Sequence, residues 1–227
     1  MKFIAKYFVL ICLPVCMAGC DDQNFMHQKY LDEGETVYPG MADSVLYFAG
    51  NERVKFTWSL NADPRIEKCM FFWNDSEKND SATVDVNRNT PGYISMESIL
   101  HVKEGVYDFT LVTVDNEKHK SLAVTRTVQV YGPAYISRLV NRNMSSSFDD
   151  GELTISWMTV ESALVQYTTV TYKDRSGVSQ SIRIENTDTV TVIDDVNESS
   201  EFSISTSYLP EGGLDVLNAS PVTYTVM

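Results

Sequence analysis

From Ser44 onward, the hydrophobic residues occur in short runs of Val, Ile, Thr, Tyr and Phe. Clusters of Asn, Asp, Gly, Ser and Pro separate these runs. Short β-branched and aromatic runs that are bounded by turn-forming residues predict β-strands. No segment keeps a 3.6-residue apolar period long enough for a substantial helix. The pattern therefore predicts an all-β body.

The pattern also repeats along the chain. Arg53–Trp58 and Glu152–Trp157 both predict a strand that ends in tryptophan, and the two tryptophans lie 99 residues apart. A second aromatic residue, Trp73 or Tyr172, follows 15 residues after each of them. The predicted strands 83–86 and 93–99 have counterparts at 181–184 and 190–196. Two copies of one structural unit are therefore expected.

A repeat of this length, with about seven short strands and a tryptophan in the second, predicts an immunoglobulin-like sandwich. Tyr107 resembles the tyrosine corner of fibronectin type III domains, whereas Phe202 in the second copy has no hydroxyl group. Gly132 and Pro133 would end the last strand of the first copy. The expected order is a signal peptide (1–19), a lipidated tether (20–40), a first sandwich (41–131) and a second sandwich (132–227).

The N-terminal residues have the pattern of an export signal. Lys2 and Lys6 precede an apolar stretch over 7–15, which is too short to span a bilayer. Met17-Ala18-Gly19-Cys20 resembles the bacterial lipobox, which implies that signal peptidase cleaves before Cys20 and that its thiol receives a lipid. The alternatives are an ordinary signal peptide with a chance cysteine, or cleavage at Cys16. The lipobox is favoured because Pro14 and Val15 do not suit cleavage at Cys16.

Two acidic residues follow the predicted lipid site. Asp21-Asp22 resembles the short export signal of Bacteroidetes surface lipoproteins, which implies an outer-membrane location facing the cell exterior. No later stretch of 18 apolar residues occurs, so the expected contact with the membrane is the lipid anchor.

Composition and net charge exclude one class of binding partner, nucleic acids. The 227 residues are 43% hydrophobic, with 18 basic and 31 acidic residues and a net charge of -13. Removal of the signal peptide takes Lys2 and Lys6 with it, which leaves 16 basic residues and a charge of -15. Nucleic-acid binding is excluded because it needs clustered Lys and Arg.

Candidate chemistry is sparse. Cys69 is the one thiol left after cleavage and lipidation, so no intramolecular disulfide is expected and it is interpreted as a core residue. The three histidines lack the spacing of zinc ligands. Asp149-Asp150-Gly151-Glu152 is either a calcium loop or a solvated turn, and the turn is favoured. Ser145–Ser147 are assigned to a flexible loop. No catalytic site, metal site or cofactor is predicted, and the protein is not expected to be an enzyme.

Exposed aromatic residues are better candidates for a binding surface than the acidic and serine segments. If Trp73 faces inward, alternation places Cys69 and Phe71 inward and Met70 and Phe72 outward. An outward Met and Phe either lie under the second domain, which is favoured, or line a binding surface.

Three short segments resemble the Asp-Ser/Thr-aliphatic sequon for O-glycosylation in Bacteroidetes. They imply modification at Ser44, Ser81 and Thr189.

Dispersed segments over some 170 residues resemble a family of Bacteroidetes lipoproteins of unknown function with tandem immunoglobulin-like domains. Longer members of that family continue into a discoidin-like carbohydrate-binding domain, and no such domain is expected within residues 1–227. The matching segments are Tyr38-Pro39-Gly40, Gly50–Lys55, Asp63–Ile66, Phe72-Trp73-Asn74, Asn141-Arg142 and Tyr208-Leu209-Pro210.

Two functional hypotheses follow. The first is a non-catalytic binding module at the outer-membrane surface that holds a glycan or a protein ligand and acts in polysaccharide utilisation. The second is a structural or adhesive envelope lipoprotein that makes protein–protein contacts.

Overall fold

A computed structural model describes residues 37–74, 79–89 and 91–227. The predicted signal peptide, the lipidation site Cys20 and most of the predicted tether lie outside the described residues. Within them, no helix is long and apolar enough to cross a membrane.

The first sandwich packs a three-stranded sheet against a four-stranded sheet. Strands β1, β2 and β5 form the first sheet in that order, and the order β4-β3-β6-β7 forms the second, with every neighbouring pair antiparallel. The strands are β1 (Asp43–Gly50), β2 (Arg53–Leu60), β3 (Ile66–Asn74), β4 (Asn79–Asp85), β5 (Ile94–His101), β6 (Gly105–Asp115) and β7 (Val124–Val130).

The second sandwich repeats this arrangement. A short helix, α1 (Pro133–Ile136), precedes it. Its sheets have the orders β8-β9-β12 and β11-β10-β13, and both β14 and β15 pair with β13. The strands are β8 (Met144–Asp149), β9 (Glu152–Trp157), β10 (Val165–Lys173), β11 (Ser179–Glu185), β12 (Val190–Ile193), β13 (Glu201–Tyr208), β14 (Leu217–Asn218) and β15 (Val222–Thr225).

The equivalent strand orders confirm the predicted fold class, two tandem immunoglobulin-like sandwiches of the fibronectin type III kind. Trp58 lies in the second strand of one sandwich, which continues to Leu60, and Trp157 ends the second strand of the other, and both rings are buried. Each sandwich has its own hydrophobic core. The repeat in the sequence is therefore a repeat of the fold.

Alternation along the strands builds these cores. In β2, every second residue from Val54 to Leu60 is buried, and Phe56 packs against Phe71 of β3 with ring centroids 5.0 Å apart. In β9, Leu153, Ile155 and Trp157 alternate with more exposed residues in the same way. Residues two positions apart along a strand lie on the same face of the sheet. The alternating apolar residues of each strand therefore all point into the core of their own sandwich.

The assignment of Ser145–Ser147 to a flexible loop is wrong. These serines lie in β8 and pair with Ser156, Ile155 and Thr154 of β9. Serine has a low intrinsic preference for strands, but here the backbone ladder with β9 fixes the segment.

The acidic segment after these serines is a hairpin turn, as favoured from the sequence. Asp149 pairs with Glu152, and the turn residues Asp150 and Gly151 have φ angles of 49° and 86°. Positive φ at both central positions is the geometry of a tight two-residue hairpin, which Asp-Gly adopts readily. Residues 37–74, 79–89 and 91–227 contain no group of three or more His, Cys, Asp or Glu that could hold a metal ion.

Two half-buried or buried carboxylates fix loops by accepting several hydrogen bonds. Asp63 accepts from the backbone N–H groups of Gly40 and Arg65 and from the Arg65 guanidinium at 2.8 Å. Asp174 accepts from Gln180 Nε2 and from two backbone N–H groups of its own turn. The Arg65 hydrogen bond lowers the pKa of Asp63 to about 2, and the Gln180 hydrogen bond lowers the pKa of Asp174.

These carboxylates predict a loss of stability in acid. A carboxyl group whose pKa is depressed in the folded state contributes stability that is present above its unfolded pKa of about 4 and is lost as the pH falls. Urea unfolding midpoints are therefore expected to fall between about pH 4 and pH 2. Asp63→Asn should reduce the size of that fall, and an equal fall in Asp63→Asn would contradict the assignment.

Candidate functional site

The predicted faces of β3 are confirmed. Cys69 and Phe71 are fully buried, whereas Met70 and Phe72 are half-buried on the outer face of the four-stranded sheet. The ammonium group of Lys120 lies 5.3 Å from the centre of the Phe72 ring. A cation at this distance interacts favourably with the ring and partly covers it. Whether Met70 and Phe72 have a role in binding stays a prediction.

Cys69 has the predicted core position. Its side chain is fully buried, and burial raises the pKa of its thiol to about 11. The thiolate is the reactive form of cysteine, so this residue is inert at neutral pH.

The three residues predicted to carry O-linked glycans are all exposed, two in the first sandwich and one in the second. Asp43 accepts a hydrogen bond from the backbone N–H of Ser44 at 2.6 Å, and Asp80 accepts one from that of Ser81 at 2.9 Å. Thr189 lies just before β12. Exposure leaves the three hydroxyl groups accessible, and their modification stays a prediction.

The two sandwiches belong to one compact unit, Pro39–Met227, and they meet at the turn between β1 and β2. Leu214 of the second sandwich donates its backbone N–H to Ala49 O at 2.8 Å. Tyr131, which follows β7, donates to Gly50 O at 3.1 Å and accepts from Glu52 N at 2.8 Å. These backbone bonds hold the connecting segment and the second sandwich against one hairpin of the first.

An ion pair reinforces this junction. Asp215 Oδ2 accepts hydrogen bonds from Arg53 Nε and from the backbone N–H of Asn51, each at 2.9 Å, and Asp215 Oδ1 pairs with Arg53 Nη2. The Arg53 hydrogen bond lowers the pKa of Asp215, so the carboxylate stays charged at neutral pH. A two-pronged guanidinium–carboxylate pair fixes orientation as well as distance.

The connecting helix α1 is fixed by a third contact. Glu104, which follows β5, accepts hydrogen bonds from the backbone N–H groups of Ala134 at 2.6 Å and Tyr135 at 2.7 Å. The Tyr135 ring packs on Tyr131 with centroids 4.6 Å apart. The contacts at the junction thus come from segments that are far apart in sequence.

These segments enclose an open cleft of about 900 Å³. The Arg53–Asp215 pair forms part of its wall. The rest of the lining combines hydrogen-bonding and apolar residues from both sandwiches and the connecting helix. The hydrogen-bonding residues are Asn51, Glu52, His101, Lys103 and Asn218, and the apolar residues are Val102, Ile136, Val216 and Leu217.

Sequence reasoning did not find this cleft. Its lining comes from the β1–β2 turn, the end of β5, helix α1 and the segment around β14. The sequence marks the first of these segments as a turn, but no local pattern indicates that residue 53 would pair with residue 215. The volume of the cleft, and a lining that combines hydrogen-bonding and apolar side chains, suit the binding of a small molecule that carries polar groups.

Comparisons with known proteins place the chain in a family. The DUF4998 family, described as a domain of unknown function, matches residues 20–216. The chain belongs to this family. The match agrees with the resemblance to a lipoprotein family of unknown function with tandem sandwiches, and its Bacteroidetes and lipoprotein aspects stay predictions.

Two solved structures from chicken are similar to this DUF4998 chain. The FN1–FN3 domains of CNTN1 are 13% identical, with 83% of this chain and 68% of that chain covered and a TM-score of 0.37. A segment of two fibronectin type III domains from tenascin is 14% identical, with 82% and 98% covered and a TM-score of 0.35. The comparison with curated proteins gives no match.

The strand order of the DUF4998 chain is the fibronectin type III arrangement, with three strands facing four in the first sandwich and three facing five in the second, where β14 and β15 both pair with β13. A fold of this kind hosts many unrelated functions, so it does not by itself assign one. The particular ligand has to be argued from the surface of this chain.

Proposed function

We propose that the protein is a non-catalytic binding module of the outer-membrane surface, anchored through acylated Cys20, and that its ligand is a glycan. The observation that carries this proposal is the cleft at the junction of the two sandwiches, whose lining includes hydrogen-bonding side chains from both. A lipid anchor and the tether before Val37 would place this cleft outside the membrane, where it would meet soluble or surface polysaccharide.

The lining of the cleft supports a sugar as the ligand. A sugar hydroxyl group both donates and accepts hydrogen bonds. Amide, carboxylate and imidazole groups together supply the acceptors and the donors that such a hydroxyl group needs. Asn51, Glu52, His101 and Asn218 supply these groups from both sandwiches. The Arg53–Asp215 pair and the backbone bonds at the hairpin hold them in place before a ligand arrives, which reduces the entropy lost on binding.

A glycan array probed with the unacylated chain from Asp21, followed by calorimetry on the strongest glycan, tests this function. Asn51→Ala is expected to weaken binding by about tenfold, because it removes a hydrogen-bonding amide from the cleft. Phe72→Ala is expected to leave the affinity unchanged, because Phe72 lies on the other sheet of the first sandwich.

Binding of no glycan would overturn the proposed function. Binding that Phe72→Ala abolishes and Asn51→Ala leaves intact would keep the glycan function but move the site to the face around Met70 and Phe72.

Adhesion through protein contacts is a second candidate function, and strand β12 favours it. Among the described strands, β12 pairs only with β9, and its outward side chains Val190 and Val192 are 53% and 54% exposed. An edge strand with free backbone groups and exposed valines can accept a strand from another protein. Capture of envelope proteins without glycan binding would favour this function.

A further inference from the structure

We infer that the glycan site continues beyond the cleft as a strip across the outer face of the three-stranded sheet β1-β2-β5, where it holds a longer oligosaccharide. This inference rests on the proposed glycan function and adds the path and length of the ligand. We call this surface the sheet strip, and it consists of Leu46, Phe48, Lys55, Thr57, Glu97 and Ile99.

The register of the three strands places the strip directly beside the cleft. Arg53 pairs with Gly50 on one side and with His101 on the other, and this row borders the cleft. We call a set of paired residues across the three strands whose side chains face outward an outward row. The next outward row along the sheet contains Phe48, Lys55 and Ile99. The two rows lie two residues apart along each strand, a separation of about 7 Å.

A second hollow lies at the far end of the strip. It has a volume of about 440 Å³, and Leu46, Thr57 and Glu97, the third outward row, contribute to its lining. The pairing of β1 with β2 is irregular between Asp43 and Leu46, and Ser44 there has a φ angle of 51°. An irregularity of this kind bends a strand locally, and here it borders the hollow.

The central row links these two hollows with an apolar surface. Phe48 is half-buried, Ile99 is 46% exposed and Leu46, one row further, is 58% exposed. Lys55 lies between Phe48 and Ile99 and pairs with Glu97 at 2.7 Å, so the strip carries little net charge. An aromatic ring flanked by aliphatic side chains and polar groups suits the apolar face and the hydroxyl groups of a neutral sugar.

The distance along the strip indicates the size of the ligand. The rows of Arg53 and Thr57 are four residues apart, about 14 Å along β2. A disaccharide in the cleft would leave the strip empty, whereas a longer chain of the same sugar would cross Phe48 and reach the second hollow. Affinity should therefore rise with oligosaccharide length.

The test compares two lengths of the same sugar. Calorimetry would measure the binding of glucose, xylose and mannose oligosaccharides, each as a disaccharide and a hexasaccharide, to the unacylated chain from Asp21. The hexasaccharide of the recognised series is expected to bind at least about tenfold more tightly than the disaccharide.

Three variants locate the source of that gain. Phe48→Ala and Leu46→Ser should each bring the ratio of the two affinities close to one, with the disaccharide affinity unchanged. Leu46 is well exposed, so its substitution keeps the test valid if Phe48→Ala does not fold. The matched control is Leu122→Ser, which replaces a leucine that is 74% exposed just before β7 of the other sheet.

Each outcome bears on one of the two proposals. A length gain lost in Phe48→Ala and Leu46→Ser but kept in Leu122→Ser would support the sheet strip. An equal gain in all four proteins, or no gain in the wild type, would overturn the strip and leave the cleft as the glycan site. No binding of any oligosaccharide by the wild type would overturn the proposed function and the strip together.

Discussion

Replacement of Phe71 with alanine is expected to lower the free energy of unfolding of the first sandwich by about 4 kcal/mol. Phe71 is fully buried, and its ring centre lies 5.0 Å from that of Phe56 and 5.2 Å from that of Trp58. Its truncation would leave a cavity between the two sheets that strands paired on both sides cannot close. Urea unfolding followed by tryptophan fluorescence, with hydrogen exchange to localise the change, would measure this loss.

The matched control for this substitution is the next residue. Phe72 has the same side chain on the same strand, but it is half-buried and faces outward. Phe72→Ala should cost well under half as much, because much of its surface is already hydrated and no internal cavity forms. Equal losses for the two variants would contradict the assignment of the two faces of β3.

Arg142→Met is expected to destabilise the second sandwich by about 3 to 5 kcal/mol. The buried guanidinium of Arg142 donates to Met158 O at 2.8 Å, to Glu185 O at 3.1 Å and to Asp188 O at 2.8 Å. It also packs over the Trp157 ring at 5.4 Å. Methionine fills much of the same volume but donates no hydrogen bond, so these carbonyl groups would lose their charged partner.

A lysine and a nearby arginine provide the controls for this second prediction. Arg142→Lys should recover only part of the stability, because a single ammonium group cannot reproduce the planar fork of donors. Arg138→Met changes an exposed arginine in the same connecting segment and should cost less than about 0.5 kcal/mol. Hydrogen exchange should show the loss for Arg142→Met in β9 and in the β11–β12 connection, and unchanged protection there would contradict the assignment.

The sequence alone predicts the buried position of Phe71, but it does not predict the role of Arg142. The period-two pattern around Trp73 placed Phe71 inward and Phe72 outward, because alternation in a strand is a local property. Arg142 appeared in the sequence only as part of a segment that resembles a family. Its partners are backbone carbonyl groups in two other segments, one just after β9 and one from the end of β11 into the β11–β12 connection. Every residue has a backbone carbonyl group, so no sequence pattern marks these partners.

The three serines before Phe148 also show that distant pairing can override a local sequence preference. Ser145–Ser147 have the composition of a loop, but pairing with β9 makes them part of a strand. Composition describes what a segment prefers in isolation, whereas the neighbouring strand supplies the hydrogen bonds that decide its structure.

The sequence by itself determined the all-β class, the repeat of two sandwiches, the tryptophan in each second strand and the faces of β3. These features depend on spacings within one strand or on the offset between two similar segments, so a linear pattern contains them. The tertiary structure alone decided the junction cleft and the sheet strip. The cleft depends on Arg53 pairing with Asp215, and the strip on the register of β1, β2 and β5. Such contacts join residues that are distant along the chain, and only the folded backbone brings them together.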